Sequence, residues 1–244
     1  MEIPLFLAMT AAEFRSAERL PAHIAWMACH FSAYGVGLSN VPGMLPRGSM
    51  LMLNDRTPIC GHDPVLVAQT LCEAAQVLES DSILLDFQRS GQGELTEVVR
   101  AVLDRVECPV GVSALYAEGF DCPVLVPPIP LHMPPEKNLS VWKGRELWLE
   151  LSTEGTEIVV TEEGSQYAPL SGLVPDEHTH KETELLCHYK ITAEDERILF
   201  HLYRTLEDQA ALVQAAETWG MTRALGLWQE KSLLQLQQAQ EISD

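Results

Sequence analysis

The chain has 244 residues, with 35 acidic against 16 basic side chains and a formal charge of −19. That length fits one large domain able to bury a core without staples, and a hydrophobic share of 46% is too high for disorder. The charge argues against nucleic acid and against an anionic membrane surface as partners, because both would repel it, and it leaves neutral or cationic small ligands open.

The chain begins MEIPLFLAMTAAEFRSAERL. A secretory signal needs a basic start, a clean apolar run and a small-residue cleavage site; Glu2 ahead of a short run, with Glu13 and Arg15 soon after, reads instead as a mature N-terminus. No stretch approaches the ~18 apolar residues of a membrane span. The six cysteines (Cys29, Cys60, Cys72, Cys108, Cys122 and Cys187) show no C-x-x-C spacing and mostly sit inside apolar runs, which suits reduced thiols and leads us to expect a cytoplasmic protein.

Apolar runs with little polar alternation predict buried strands at Ala22–His30, Ser49–Asn54, Ser82–Gln88, Pro109–Ala114, Cys122–Val126, Leu185–Ile191, Arg197–Tyr203 and Arg223–Gln229. Strands buried on both faces belong to parallel sheets. Helices are expected between some of them. Asp63-Pro64 supplies an N-cap and a first-turn proline, ahead of Val67, Leu71, Ala75 and Leu78 at helical spacing. Glu94–Val106 places Leu95, Val98, Val99, Val102 and Leu103 on one face. Thr205 with Asp208 makes a capping box, and Gly220 is a stop.

The segment ELWLELSTEGTEIVVTEEG alternates: Leu147, Leu149 and Leu151 on one side, Glu146, Trp148 and Glu150 on the other. It predicts an antiparallel hairpin near 146–164 with one wet face, turning at Glu154-Gly155 and returning through Ile158–Val160. Asp176–Lys181 reads as a polar loop, and residues 232–244 as a final helix or tail. The order strand, helix, strand predicts one (β/α)8-like barrel domain over 1–244. Counting the hairpin gives one strand more than eight, and the gap from Val112 to Cys122 is too short for a helix, so either a strand is misassigned or the barrel is irregular.

Function in such barrels collects at the carboxyl ends of the strands. That rule nominates His30, Asn54, Asp55, Asp86, Gln88, Tyr116, His188, His201, Tyr203 and Trp228. In DSILLDFQ (Asp81–Gln88) a two-residue period points Leu84, Asp86 and Gln88 to one face, and a carboxylate there is costly to bury unless paired or hydrogen-bonded.

DSILLDFQ resembles the D-x-x-D-x-D-x-E strand of the chitinase-like family-18 glycoside hydrolases. Laid on that pattern, Asp81 takes the first acid and Asp86 the third, while Leu84 replaces the middle acid and Gln88 the terminal glutamate. The resemblance implies a barrel whose terminal glutamate is the general acid and whose preceding aspartate helps the substrate's own acetamido group act as nucleophile. It also implies a tryptophan beneath the sugar on the last strand, a place that Trp228 of RALGLWQEK would take. A departing glycosidic oxygen needs a proton. The Gln88 amide has none to titrate, so ordinary hydrolysis of that kind is not expected.

Other constellations are possible. Asp55, after Asn54, could be a catalytic carboxylate facing Asp86 or a loop cap. His30 and His188 each follow a cysteine and could meet across the barrel mouth or serve as core histidines. Glu150 and Glu230 are the nearest other acids, readable as wet-face residues. His178-x-His180 with Glu177 and Glu182 has zinc-like spacing, but a solvated loop is the better reading and no metal is expected. No phosphate loop, G-x-G-x-x-G or G-x-S-x-G occurs, and no cofactor is expected. The sequence therefore points to a barrel that binds a saccharide or similar small polar ligand through Asp86, Gln88, Asn54, Trp228, Tyr203, His30 and His188. The alternatives are a hydrolase using another acid pair such as Asp55 with Asp86, or a non-catalytic structural or interaction protein; the oligomeric state is open.

Overall fold

The structure is a computed structural model that describes residues 3–32, 34–38, 45–57, 61–194, 196–230 and 232–236. In chain order its elements are β1 (Leu5–Met9), α1 (Ala11–Ser16), β2 (Ile24–Ser32), β3 (Gly35–Leu38), β4 (Met50–Asn54), α2 (Pro64–Val77), β5 (Ser82–Asp86), α3 (Gly93–Leu103), β6 (Val110–Ser113), β7 (Val124–Val126), α4 (Pro135–Leu139), β8 (Leu147–Glu150), β9 (Gly155–Thr161), β10 (Gly164–Leu170), β11 (His180–Glu182), β12 (Cys187–Glu194), β13 (Arg197–Tyr203), α5 (Leu206–Glu217) and β14 (Met221–Leu227).

The runs without polar alternation are strands buried on both faces: every residue of β1, β4, β6 and β7 is buried. Such strands pair in parallel. They follow the order β1, β14, β8, β7, β6, β5, β4, β2, and β1 also pairs with β2, which closes an eight-stranded barrel. β3 adds to β2 as an antiparallel edge. The helices cover the outside. Asp63 caps α2 by accepting from the Val65 amide, and Thr205 and Asp208 form the capping box of α5. Gly220, at φ +85°, turns the chain back after α5 in the left-handed region that suits glycine.

The irregularity expected after Val112 is real. No helix joins β6 to β7. The connection is instead pinned by Arg145, whose guanidinium donates to the carbonyls of Phe120 at 2.7 Å and Cys122 at 2.9 Å.

Four assignments need correction. LFLAM, too short to stand out in the sequence, is barrel strand β1. Leu147–Glu150 is not the first arm of a hairpin. It pairs in parallel with β7 and β14 and is the seventh barrel strand. Its alternation separates the barrel interior, where Trp148 lies, from the layer beneath the helices, where Leu147, Leu149 and Leu151 pack. The hairpin is β9–β10, with Gly164 opposite Thr161. Finally, the runs at Leu185–Ile191 and Arg197–Tyr203 form β12 and β13 of a second, antiparallel sheet ordered β10, β9, β13, β12, β11. This sheet is inserted between β8 and α5. Buried Arg204 ties it to the barrel by donating to the carbonyls of Ile129 at 2.8 Å, Leu186 at 3.1 Å and Leu185 at 3.2 Å. Of the expected C-terminal helix, residues 232–236 are helical, and the rest lies outside the described residues, as does Cys60. Among the described residues, no helix is long and apolar enough to cross a membrane.

The barrel interior is filled by Phe6, Ala8, Ala25, Met50, Met52, Leu84, Leu125, Trp148 and Leu225. Trp148 lies across Gly111, where a β-carbon would come within 2.2 Å of ring atoms Cε3 and Cζ3. Below it, the Arg223 guanidinium sits 4.5 Å from the Trp148 ring centroid and 5.3 Å from that of Phe6 and donates to the Ser82 hydroxyl. Trp148 and the half-buried Arg223 thus fill the amino half of the interior, and Asn54, Asp86 and Glu150 stand at the carboxyl ends of their strands. We expect Gly111→Ala to destabilise the fold by roughly 1–3 kcal/mol, the usual cost of overpacking a tight interior, as read from the urea midpoint. An unchanged midpoint would contradict the Trp148–Gly111 contact.

Candidate functional site

Residues partnered across a parallel register share a face. Asn54 is partnered with Asp86, so both continue the interior rows of Met52 and Leu84. Glu150 is partnered with Leu225 and stands one interior position above Trp148. Asp86 and Glu150 thus rise from the carboxyl ends of β5 and β8, on top of the packed interior.

Four acids gather here, each held differently. Asp55, 3% exposed, does not face the mouth as a free carboxylate. Its two oxygens accept the backbone amides of Gln88 at 3.1 Å and Arg89 at 2.8 Å, which makes it the cap of the loop after β5. That loop is further held by Ser113, whose hydroxyl accepts from the Phe87 amide and donates to the Phe87 carbonyl, and by Tyr116, which donates to the Arg89 carbonyl. Glu230 is fully engaged as well: Oε1 accepts from the Thr153 amide at 2.7 Å, the Thr153 hydroxyl at 3.0 Å and the Ser152 hydroxyl at 3.2 Å, and Oε2 accepts from the Leu227 amide at 3.3 Å. Asp86 accepts from the side-chain amide of exposed Gln88. Burial raises its carboxyl above the usual range, Gln88 opposes that shift and the Asp55 charge adds to it. Glu150 takes no hydrogen bond and no ion pair among the described residues. Burial, then the charges of Asp86 and Glu230, push it up to about 7.

The remaining nominees divide by sheet. Asn54 accepts the Arg56 amide at 3.1 Å. His30 lies near the carboxyl end of β2, past a register shift between Trp26 and Cys29. Its ring rests on Gly37, where a β-carbon would meet Nε2 at 2.7 Å. His188, His201 and Tyr203 belong to the second sheet. The His188 ring stacks on Tyr203 and its Nδ1 lies 2.6 Å from Oδ2 of Asp208, so it does not meet His30. His201 pairs with Glu157 at 2.9 Å, and Tyr203 reaches the Thr179 hydroxyl at 3.3 Å. His178 and His180 are exposed. Trp228 sits one residue beyond interior-facing Leu227 and packs with the core beneath the helices, so it does not floor the mouth.

A cleft of about 440 Å3 opens beyond the carboxyl ends of β7 and β8. Its lining includes Ile129, Leu131, Ser152, Glu154, Tyr167 and Arg204. Ser152 belongs both to this cleft and to the hydrogen-bond set of Glu230. Tyr167 is 59% exposed and has the His132 ring 5.4 Å away. Sequence reading missed this cleft because its walls come from loops and from the inserted sheet. Glu150 was within reach: RELWLELS ends an apolar run on an acid just as DSILLDF does.

No protein-family model matches the chain, and no curated protein matches it. Solved structures do match in shape. A family-18 N-acetylglucosaminidase from Paenibacillus barengoltzii superposes with a TM-score of 0.60 at 8% identity, covering 92% of this chain and 94% of that one. A mutant class V chitinase from Nicotiana tobaccum, in complex with NAG4, gives 0.61 at 9% identity and 93% of each chain. The Bacillus cereus spore cortex-lytic enzyme SleL gives 0.58 at 8% identity, over 92% of this chain and 70% of that one.

The carboxyl cluster predicts a pH signature. Glu150 loses its proton at a higher pH folded than unfolded, so from its ordinary 4.5 to about 7 the folded state binds more protons and stability falls as pH rises. Glu150→Gln should therefore be more stable than the parent above pH ~7, by on the order of 2 kcal/mol after screening, and equal to it below pH ~4.5. Thermal melts at the two ends of that range check this, and a difference independent of pH would contradict it. Together the closed eight-stranded barrel and these superpositions show a fold shared with the chitinase-like glycoside hydrolases.

Proposed function

We propose that this protein binds a saccharide at the carboxyl end of its barrel and that it lacks the proton donor which the resembled strand pattern carries. The observation that supports this most is the cleft beyond β7 and β8, joined through Ser152 to the carboxyl cluster and bordered by the exposed Tyr167 ring. Saccharide sites combine aromatic faces, on which sugar C–H groups pack, with carboxylates and amides that accept and donate to hydroxyls. Asp86, Gln88, Asn54 and Glu150 supply the polar part, and Tyr167 supplies the face in place of Trp228. Where the strand pattern has a glutamate, Gln88 donates a hydrogen bond to Asp86 and offers no proton to a leaving group.

The charge of −19 disfavours a polyanion as ligand and is compatible with a neutral oligosaccharide. The five described cysteines are all free thiols, which suits a reducing compartment such as the cytoplasm. Titration calorimetry with tetra-N-acetylchitotetraose tests the reading. Saturable binding is expected, weakened about tenfold or more by Tyr167→Ala, since removing a stacked ring costs on the order of 1–2 kcal/mol. No binding by the parent protein would remove the proposal.

A further inference from the structure

The inserted sheet has two unlike faces. Residues partnered across antiparallel strands share a side, so the register puts Ile158, Tyr189, Ile191, Ile198 and Phe200 on one face, with Tyr167 of the edge strand β10 beside them. The chain covers only one corner of that face, where Leu131 packs on Cys187 and Leu202. Elsewhere it is open: Ile191 is 50% exposed and Ile198 44%. A groove of about 350 Å3 runs into it, lined by Ile158, Leu185, Tyr189, Phe200 and Glu182 among others. The opposite face is occupied by the chain itself. Lys190 pairs there with Asp176 at 2.6 Å, Tyr203 reaches Thr179, and His188 meets Asp208 of α5.

We propose that this open apolar face docks a basic amphipathic helix of a partner protein. The inference is independent of the saccharide reading above. A contiguous apolar patch on a sheet marks an interaction surface, and charge decides which occupant fits. From residue 154 to residue 204 the chain has eleven acidic against four basic residues. All four bases are committed: Lys181 to Glu207 and Asp208, Lys190 to Asp176, Arg197 to Glu194, and buried Arg204 to backbone carbonyls. The strands of the open face contribute no Lys or Arg to it, and their one charged side chain there is Glu182, partnered across the ladder with Cys187. Beyond the strand ends, Glu162, Glu163 and Glu196 gather around the Glu194–Arg197 pair.

The surface is therefore apolar in its middle and acidic at its borders. A second copy of this chain would bring the same acidic border against it, and an anionic membrane would be repelled. A helix with an apolar stripe and lysines or arginines along its flanks complements both features. Its size also fits. Five strands spaced about 4.8 Å apart give a face about 20 Å wide, and a helix with its side chains is about 10 Å across. The apolar contacts supply the affinity, and the acidic border steers the encounter and makes it salt-dependent.

The test is titration of the intact chain with a synthetic helical peptide of leucine and lysine, about 18 residues or five turns long, with its leucines on one face. Saturable binding of one peptide per chain is expected, weaker at high salt. The double substitution Ile191→Thr with Ile198→Thr keeps β-branched residues at two exposed strand positions, so folding should survive, and melting checks it. It should weaken binding about tenfold or more, through the apolar area lost. Glu182→Gln should weaken it less, and Val77→Thr, on exposed α2, not at all. Two comparison peptides, one with glutamate for lysine and one with serine for leucine, should not saturate. No binding of the leucine–lysine peptide, equal binding of the lysine–serine peptide, or indifference to the double substitution would overturn the proposal. So would a dimer of the parent chain in sedimentation, or its binding to phosphatidylcholine vesicles, if either is lost in the double variant, since the face would then belong to a second copy or to a lipid surface. Tetra-N-acetylchitotetraose binding, measured alongside, should be unchanged in the double variant, which keeps the two readings separable.

Discussion

The contact of Trp148 with Gly111 organises the barrel. An indole fits inside a barrel of eight short strands only if a neighbouring strand offers no side chain at that level, and Gly111 is that gap, with a β-carbon excluded at 2.2 Å. Arg223 then finds a flat aromatic surface, stacks beneath the ring and meets the Ser82 hydroxyl. The amino half of the interior is thereby filled and the half-buried Arg223 guanidinium is given partners. Whatever lies one interior position higher must face the open end, and on β8 that residue is Glu150.

The mouth illustrates how environment separates identical groups. Four carboxyls occupy it, and the backbone decides their roles. Asp55 and Glu230 cap loops through backbone amides and hydroxyls. Asp86 is steadied by one side-chain amide, and Glu150 is left with burial and repulsion. Charge alone, at −19 overall, would suggest a uniformly acidic opening. The hydrogen bonds make two of them anchors, while burial raises the other two, Asp86 against the opposing Gln88 amide and Glu150 with the charges of Asp86 and Glu230 added.

Much of this was legible in the chain. Unalternating runs such as MLMLN and SILLD gave two-sided strands because both faces are covered, and Asp63, Thr205 and Gly220 marked helix ends through local hydrogen bonding and backbone freedom alone. DSILLDFQ correctly placed Asp86 on the interior face. What failed was what distant residues decide. Leu147–Glu150 alternates like a half-wet strand because Trp148 and Glu150 look polar-facing, whereas Gly111 makes room for the indole and turns that face inward. His188 and Tyr203 end apolar runs as barrel strands do, but their strands pair antiparallel in an inserted sheet whose separation no local period reveals. Trp228 missed the mouth by one residue, since Leu227 takes the interior position partnered with Ala8, and a one-residue shift exchanges faces.

The account stands on Glu150 being a proton-holding acid in the polar mouth of a closed barrel, above a filled interior. The most direct measurement is a carbon-13 NMR titration of the Glu150 side-chain carboxyl in the intact protein. The account predicts a midpoint near 7 that falls when Asp86 is replaced by asparagine, because a repelling charge is removed. A midpoint at the ordinary glutamate value of about 4.5, unmoved by that replacement, would contradict it.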